Sequence, residues 1–270
     1  MPEAARKLIN FINKVRLRIN PHPPIIVWQM GKVGSSTVCK SLQSLVLPNP
    51  VFQIHFLSPH NLSRVRNIYK QKGLPLPHHI DSGELLLDLY NKTGGDGWKI
   101  ITIVRDITAV KIASFFENLN LYLNDYNGLI LKNGSVNAVV AANALMKQFS
   151  NFNESKDYVC TWFDQEIKQM AGIDVFSHPF DHKKGYTIIT KDDKNLLILK
   201  TELLDTTFHE AISTFLDIDS PIELKNDNIS EQKHYSEAIR HVRRELVIPE
   251  EILTKIYSTR YMRHFYPLKP

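Results

Sequence analysis

Within the segment Met30-Gly31-Lys32-Val33-Gly34-Ser35-Ser36-Thr37, two glycines, a lysine and three hydroxyl side chains stand together. Glycine lets a backbone turn tightly and approach a ligand closely. A loop running from a strand into a helix leaves unsatisfied N–H donors at the helix start, where the dipole also favours an anion. Ser35, Ser36 and Thr37 add hydroxyl donors, and Lys32 adds a positive charge on a long stem. The set suits the phosphate end of a nucleotide-type donor. The same residues could form a tight turn with a capping serine, but the packed order Lys-x-Gly-Ser-Ser-Thr favours phosphate. A Walker A loop places its lysine after the second glycine. Lys32 precedes Gly34, which argues against routine ATP or GTP hydrolysis.

A second group follows the apolar run Lys99 to Val104. Arg105-Asp106 stands at the carboxyl end of this expected strand, and Ser114 lies nine residues after Arg105 on the next expected helix. An arginine there points into the usual ligand crevice of a parallel sheet, and a guanidinium matches a phosphate fork. Taken alone, Arg105 could equally be a structural ion-pair partner of Asp106 or of another acid.

The two segments together resemble the donor site of sulfotransferases that use 3′-phosphoadenosine 5′-phosphosulfate (PAPS). The first loop is similar to their 5′-phosphosulfate loop, which carries Lys-x-Gly-[Ser/Thr]-[Ser/Thr] after the first strand. The spacing of Arg105 and Ser114 is that of the family's 3′-phosphate ligands. The resemblance departs at Ile107, where the family often has proline, and over 108–111, which lacks the usual arginine although Lys111 is near. It implies that Gly31, Lys32, Val33, Gly34, Ser35, Ser36 and Thr37 hold the 5′-phosphosulfate end. It assigns the 3′-phosphate to Arg105 and Ser114, and it requires no metal.

Later segments resemble the sulfotransferase-like proteins of capsular polysaccharide synthesis. These are Trp162 to Lys168, Gly172 to Val175, Pro179 to Asp181 with Gly185-Tyr186, Leu199 to Leu204, Asn228 to Ser236, and His264 to Tyr266. The resemblance runs from about 24 to 267 and implies a carbohydrate acceptor, but these later segments carry no mechanism of their own. Two rival functions stay open: a nucleotide-dependent kinase with an atypical phosphate loop, for which Asp106 is the obvious Mg²⁺ carboxylate, and a catalytically inactive glycan-binding module.

Sulfuryl transfer needs a base for the acceptor hydroxyl. His55 ends the second expected strand, beside the first loop in a parallel sheet, and a histidine in this place matches what several sulfotransferases use. His60, Glu84 and Asp181 compete for the role, and His55 could also be a hydrogen-bonded structural histidine. Lys32 is the expected stabiliser of charge on the transferring group.

The elements that must position these residues alternate. Ile25–Trp28 is a short run buried on both faces, Val51–Phe56 a second strand and Lys99–Val104 a third, with Tyr186–Ile189 and Leu196–Leu199 as two more. Helices are expected over Ser35–Leu47, from Ser58-Pro59, from a cap at Asp81 to Tyr90, after Asp106 through Phe116, over 134–150 and over Thr161–Ala171. Three more follow at about 201–215, 231–246 and 249–258. The pattern predicts an α/β fold with a central, mostly parallel sheet flanked by helices, of the P-loop-like sulfotransferase kind, with helical C-terminal additions. Residues 21–270 are expected to form one domain.

Residues 1–20 read as a separate basic amphipathic helix, with Leu8, Ile12, Val15 and Ile19 at helical spacing between five Lys and Arg. Such a helix more often packs on its own domain, and it can also lie on an anionic membrane as a peripheral contact. The net charge of +5 fits an anionic ligand, and nucleic acid is not the expected partner. Two cysteines outside any metal-type spacing, and the lack of a targeting or spanning segment, favour a reducing cytoplasmic setting.

Overall fold

The computed structural model describes residues 3–123, 125–219, 222–225 and 235–267. These divide into two compact units, Met1–Val104 with Trp162–Lys225, and Arg105–Thr161 with Asn226–Pro270.

The first unit holds a five-stranded sheet of order β2-β1-β3-β5-β4, made of β1 (Ile25–Trp28), β2 (Val51–Ile54), β3 (Lys99–Val104), β4 (Tyr186–Lys191) and β5 (Lys194–Lys200). All neighbours run parallel except β4, which pairs antiparallel with β5 across the tight turn Asp192-Asp193. The fold class is the expected one. All four residues of β1 are buried, as are the last five of β3, which is why both read as continuous apolar runs without alternation. Strand order reverses at β1, which lies between β2 and β3. The loop after β1 therefore starts at a topological switch point, where open α/β sheets form their ligand crevice.

Helices α1 (Glu3–Ile19), α2 (Ser35–Gln43), α3 (Pro59–Gln71), α4 (His78–Thr93) and α8 (Leu204–Leu216) complete this unit, with the π-helical segment Asp164–Ala171 that Gly172 terminates in the left-handed conformation. Helix α2 packs on β1 and β2, α4 on β2 and on α1, and α8 on β4 and β5. Several expected boundaries move: the second strand ends at Ile54 rather than Phe56, so His55 stands just after it, the fourth runs on to Lys191, and the helix expected over 134–150 spans Ala138–Ser150. Helix α2 stops at Gln43, where the Ser44 hydroxyl donates to the Ser41 carbonyl and the Leu45 N–H bonds three residues back to Leu42, tightening the last turn. Asp81 is not a cap. Pro77, in an extended conformation, takes that position, the helix begins at His78, and Asp81 falls in its first turn.

The second unit is helical: α5 (Ile107–Glu117), α6 (Ala138–Ser150), α9 (Ser236–Glu245), α10 (Glu250–Tyr257) and α11 (Arg260–Phe265). Helix α7 (Tyr158–Phe163) carries the chain back into the first unit at Trp162. Helices α5, α6 and α9 pack on one another, burying Ala141, Ala144, Leu145 and Phe149 with Ile239 and Val242. The expected start of α9 at about 231 and most of the segment Asn228–Ser236 lie outside the described residues. No helix among the described residues is long and apolar enough to cross a membrane.

Candidate functional site

The β1–α2 loop is built by two left-handed residues. Gly34 has φ +89° and is the N-cap of α2, and Lys32 has φ +69°. Glycine adopts this region freely, but a lysine held there carries strain of about 1 kcal/mol that its surroundings must support, a condition that recurs at ligand-binding loops. Gly34 presents no capping side chain, so the first N–H groups of α2 have no side-chain cap. Gly31 does not adopt the left-handed region, and a methyl group built on it meets nothing within 4 Å. Its lack of a side chain is therefore not needed by the fold.

Thr201 fastens the loop from the end of β5. Its hydroxyl lies 2.7 Å from the Val33 carbonyl and 2.9 Å from that of Val104, and its methyl group sits beside Gly34 with Leu204. One hydroxyl proton thus serves the carbonyls that follow β1 and end β3.

Because Trp28 pairs with Ile54, Gln29 and His55 leave the sheet side by side. Gln29 is fully buried. Its amide is oriented by its neighbours: the nitrogen donates to the carbonyls of Val27 (3.1 Å) and Ile54 (2.8 Å), and the oxygen accepts from Ser35 Oγ (2.6 Å) and His55 Nδ1 (3.2 Å). Ser35 Oγ in turn accepts from Gln53 Nε2 at 2.8 Å. The Ser35 hydroxyl proton is thus committed inward, which leaves Ser35 its backbone N–H for a ligand. Gln29 joins the β1–α2 loop to His55 through one side chain.

His55 Nδ1 also lies 3.0 Å from the Gln29 carbonyl. A carbonyl only accepts, so Nδ1 carries the proton and Nε2 keeps its lone pair. Burial pushes the imidazole down to about 4, partly opposed by the Gln29 hydrogen bond and assisted by the Lys32 charge. His79, in the first turn of α4, lies against it with ring centroids 4.2 Å apart. Burial, His55, His78 and Lys32 hold His79 lower still. Both rings are neutral at pH 7.

The segment carrying His55 is clamped from α7 and from the π-helical segment that follows it. Trp162 Nε1 donates to the His55 carbonyl at 2.9 Å. The fully buried Glu166 accepts from Leu57 N (2.7 Å), Ser58 N (3.1 Å), Ser58 Oγ (2.6 Å) and Asn61 Nδ2 (2.7 Å). Its carboxyl is pushed up by burial, against the pull of these donors. It sits at the N-terminus of α3, where the helix dipole favours its charge. A π-helix widens the turn and re-aims its side chains, which fits a segment that closely follows Trp162 and has to turn Glu166 to the same loop.

Of the other candidate bases, Glu84 is paired with Arg66, Asp181 caps its own turn by accepting from the backbone of Lys183 and Lys184, and His60 is exposed in the first turn of α3. His55 alone of the four is joined to Gln29.

In the second unit, Arg105 opens the chain that leaves β3. Tyr261, fully buried, brackets its backbone: the phenolic oxygen accepts from Arg105 N at 3.1 Å and donates to Arg105 O at 2.9 Å. Asp106 caps α5, with Oδ1 accepting from Thr108 N and Ala109 N and Oδ2 accepting from Tyr257 at 2.8 Å. Both its oxygens are thereby engaged, which leaves it poorly suited as a Mg²⁺ carboxylate. Ser114 lies on α5, half-buried. Lys111 is taken by Asp157 and the face of Phe152.

Sequence reading singled out Lys32, Gly34, His55 and Arg105 but assigned no role to Gln29, His79, Glu166, Thr201, Tyr257 or Tyr261. The last four lie in the C-terminal half, and it is this half that resembles a known group. Residues 136–267 match the family model described as "Putative capsular polysaccharide synthesis protein". The match covers just under half of the chain and includes Trp162, Glu166, Thr201, Tyr257 and Tyr261, but not the Lys32 loop, His55 or Arg105. No curated protein and no solved structure matches the chain.

Proposed function

We propose that the protein is a PAPS-dependent sulfotransferase acting on a hydroxyl of a carbohydrate, in capsular or related polysaccharide synthesis. The observation that carries this reading is the strained Lys32–Gly34 loop at the switch point, joined through Gln29 to a neutral histidine whose Nε2 can accept a proton. The family match of residues 136–267 supports the polysaccharide setting.

Gly31, Lys32, Val33 and Gly34 with the N–H groups of Ser35, Ser36 and Thr37 fit a 5′-phosphosulfate, and Arg105 and Ser114 are the residues assigned to a 3′-phosphate. When bound, PAPS supplies a sulfuryl group for in-line transfer to the acceptor oxygen. Lys32 stabilises the negative charge that develops on the leaving side. His55 takes the acceptor hydroxyl proton at Nε2, with its tautomer set by Gln29. Its low basicity keeps it unprotonated and ready across the neutral range. Glu166, Trp162 and Thr201 hold the two loops and are positioning residues. No step in this scheme calls on a metal.

The test is transfer of ³⁵S from labelled PAPS to a panel of sugars, glycans, lipids and small alcohols, paired with thermal shift by adenosine 3′,5′-bisphosphate against ATP plus Mg²⁺. Label transfer to a carbohydrate and stabilisation by the bisphosphate are expected. Stabilisation by ATP–Mg²⁺ alone would overturn the reading in favour of a kinase. Bisphosphate binding without transfer to any acceptor would favour an inactive binding module.

A further inference from the structure

Helix α1 carries two apolar faces, and among the described residues only one is covered. Ile9, Asn13 and Leu17 are half-buried, and Leu17 lies with Leu85 and Leu89 of α4. Leu8, Phe11, Ile12, Val15 and Ile19 point elsewhere and are exposed, Phe11 at 65% and Ile19 at 74%. At helical spacing these five fall in one stripe about 100° wide, turned well away from the α4 side. They are five of the eleven large apolar side chains exposed among the described residues. A sixth, Val46, stands on the 44–50 loop, which the Asn20 amide ties to the end of α1 by donating to the Pro48 carbonyl at 2.8 Å.

Charge is arranged about the stripe in a definite way. Lys14 and Arg18 border one edge and Arg16 the other, all three exposed. On the opposing helix the nearby charged groups are Asp88 and Lys92, which offset one another. The wider sequence repeats the bias: between Glu3 and Asp81 there is no acidic residue and there are eleven Lys and Arg. An apolar stripe edged by cations whose stems can lie along it while their heads stay in water is the form of a helix that rests in an anionic lipid interface.

We propose that α1 docks this protein flat on an anionic bilayer, with Phe11, Ile12, Val15 and Ile19 entering the headgroup–acyl boundary and Lys14, Arg16 and Arg18 meeting lipid phosphates. None of these residues belongs to the Lys32 loop, and the proposal does not depend on the reaction performed. Soluble anionic polysaccharide would account for the cations but not for the apolar stripe. A second copy of this chain would cover the stripe only by bringing two cationic rims together, which is unfavourable.

The test is cosedimentation of the full chain with vesicles of phosphatidylcholine alone and of phosphatidylcholine with phosphatidylglycerol. The protein is expected to pellet with the anionic vesicles, and to be largely released when salt is raised to about 0.5 M. Phe11→Ser with Ile19→Ser is expected to lower the partition coefficient about tenfold or more. Arg16→Glu with Arg18→Glu is expected to abolish the preference for anionic lipid. Because all four side chains are exposed, unchanged melting temperatures control for folding. No pelleting, or pelleting unaffected by the Phe11/Ile19 variant, would overturn the proposal. So would a lipid-free dimer in sedimentation velocity that the same variant dissociates.

Discussion

His55 donates its Nδ1 proton to the carbonyl oxygen of Gln29, 3.0 Å away. That single contact fixes the tautomer and leaves Nε2 as the only basic atom of the ring. Burial then keeps the ring neutral down to about pH 4. A histidine placed this way stays neutral, with Nε2 carrying its lone pair, wherever Lys32 is charged.

The pH–rate profile of kcat/KM is the first consequence. With an ordinary histidine at 6.5, activity would begin to fall just below neutrality. Here the acid limb is expected near 4, with a flat profile above it. A limb at 6 to 7 that disappears in His55→Gln would contradict the assigned environment of His55.

Stability carries the same signature with a defined sign. His55 and His79 are held below their unfolded-state values, so the unfolded chain binds protons first as pH falls. Their contribution is complete above about 6.5 and is lost as pH drops through that value toward 4, by up to about 3 kcal/mol for His55. Urea titrations at pH 7 and pH 4.5 measure it. Replacing His55 by Gln should flatten the difference, and an unchanged slope would remove His55 as its source.

Gly31 and Gly34 should respond in opposite ways to the same methyl group. Gly34→Ala forces an L-residue into φ +89° and is expected to lower stability by about 1 kcal/mol or more. Gly31→Ala meets no protein atom and should fold as the parent does, while weakening adenosine 3′,5′-bisphosphate binding if a ligand approaches there. Melting curves and calorimetry on the pair separate the two cases, and a destabilised Gly31→Ala would contradict this account of the loop.

Glu166 and Thr201 each bind backbone groups of a loop. Glu166→Ala would leave the buried donors of Leu57, Ser58 and Asn61 unmet, at a cost of about 3 kcal/mol. Thr201→Val keeps the shape but frees the carbonyls of Val33 and Val104. It should cost about 1 kcal/mol and raise KM for the donor more than it lowers kcat. A drop in kcat alone with unchanged donor KM would argue that Thr201 does not brace the loop.

The sheet was legible because β1 and β3 are short apolar runs buried on both faces, and the loop because glycine, lysine and hydroxyls are packed into eight positions. The π-helical turn at Asp164–Ala171 was not, since its i→i+5 bonding has no distinct composition and reads as ordinary helix. Gln29 left a trace, an amide directly after a buried strand, but its partners Ser35 and His55 are known only once the register Trp28–Ile54 is fixed. Glu166 reaches back more than a hundred residues to Leu57 and Ser58, a contact set by topology alone. His79 was hidden by a Pro-rich context that reads as loop, because the helix starts at His78 under a proline cap rather than at Asp81. The packing side of α1 was the most ambiguous, since a stripe of Leu8, Ile12, Val15 and Ile19 predicts an apolar face without saying what it meets.

Lys32 is the residue on which the proposed chemistry turns, and one paired measurement tests it. Transfer of ³⁵S from PAPS to a carbohydrate acceptor and calorimetric binding of adenosine 3′,5′-bisphosphate are compared for the parent and Lys32→Ala. The variant is expected to lose at least about a hundredfold in kcat while still binding the bisphosphate within about tenfold, since the proposed role of Lys32 is on the transferring group. Undiminished transfer by Lys32→Ala, or no transfer and no bisphosphate binding by the parent, would contradict it.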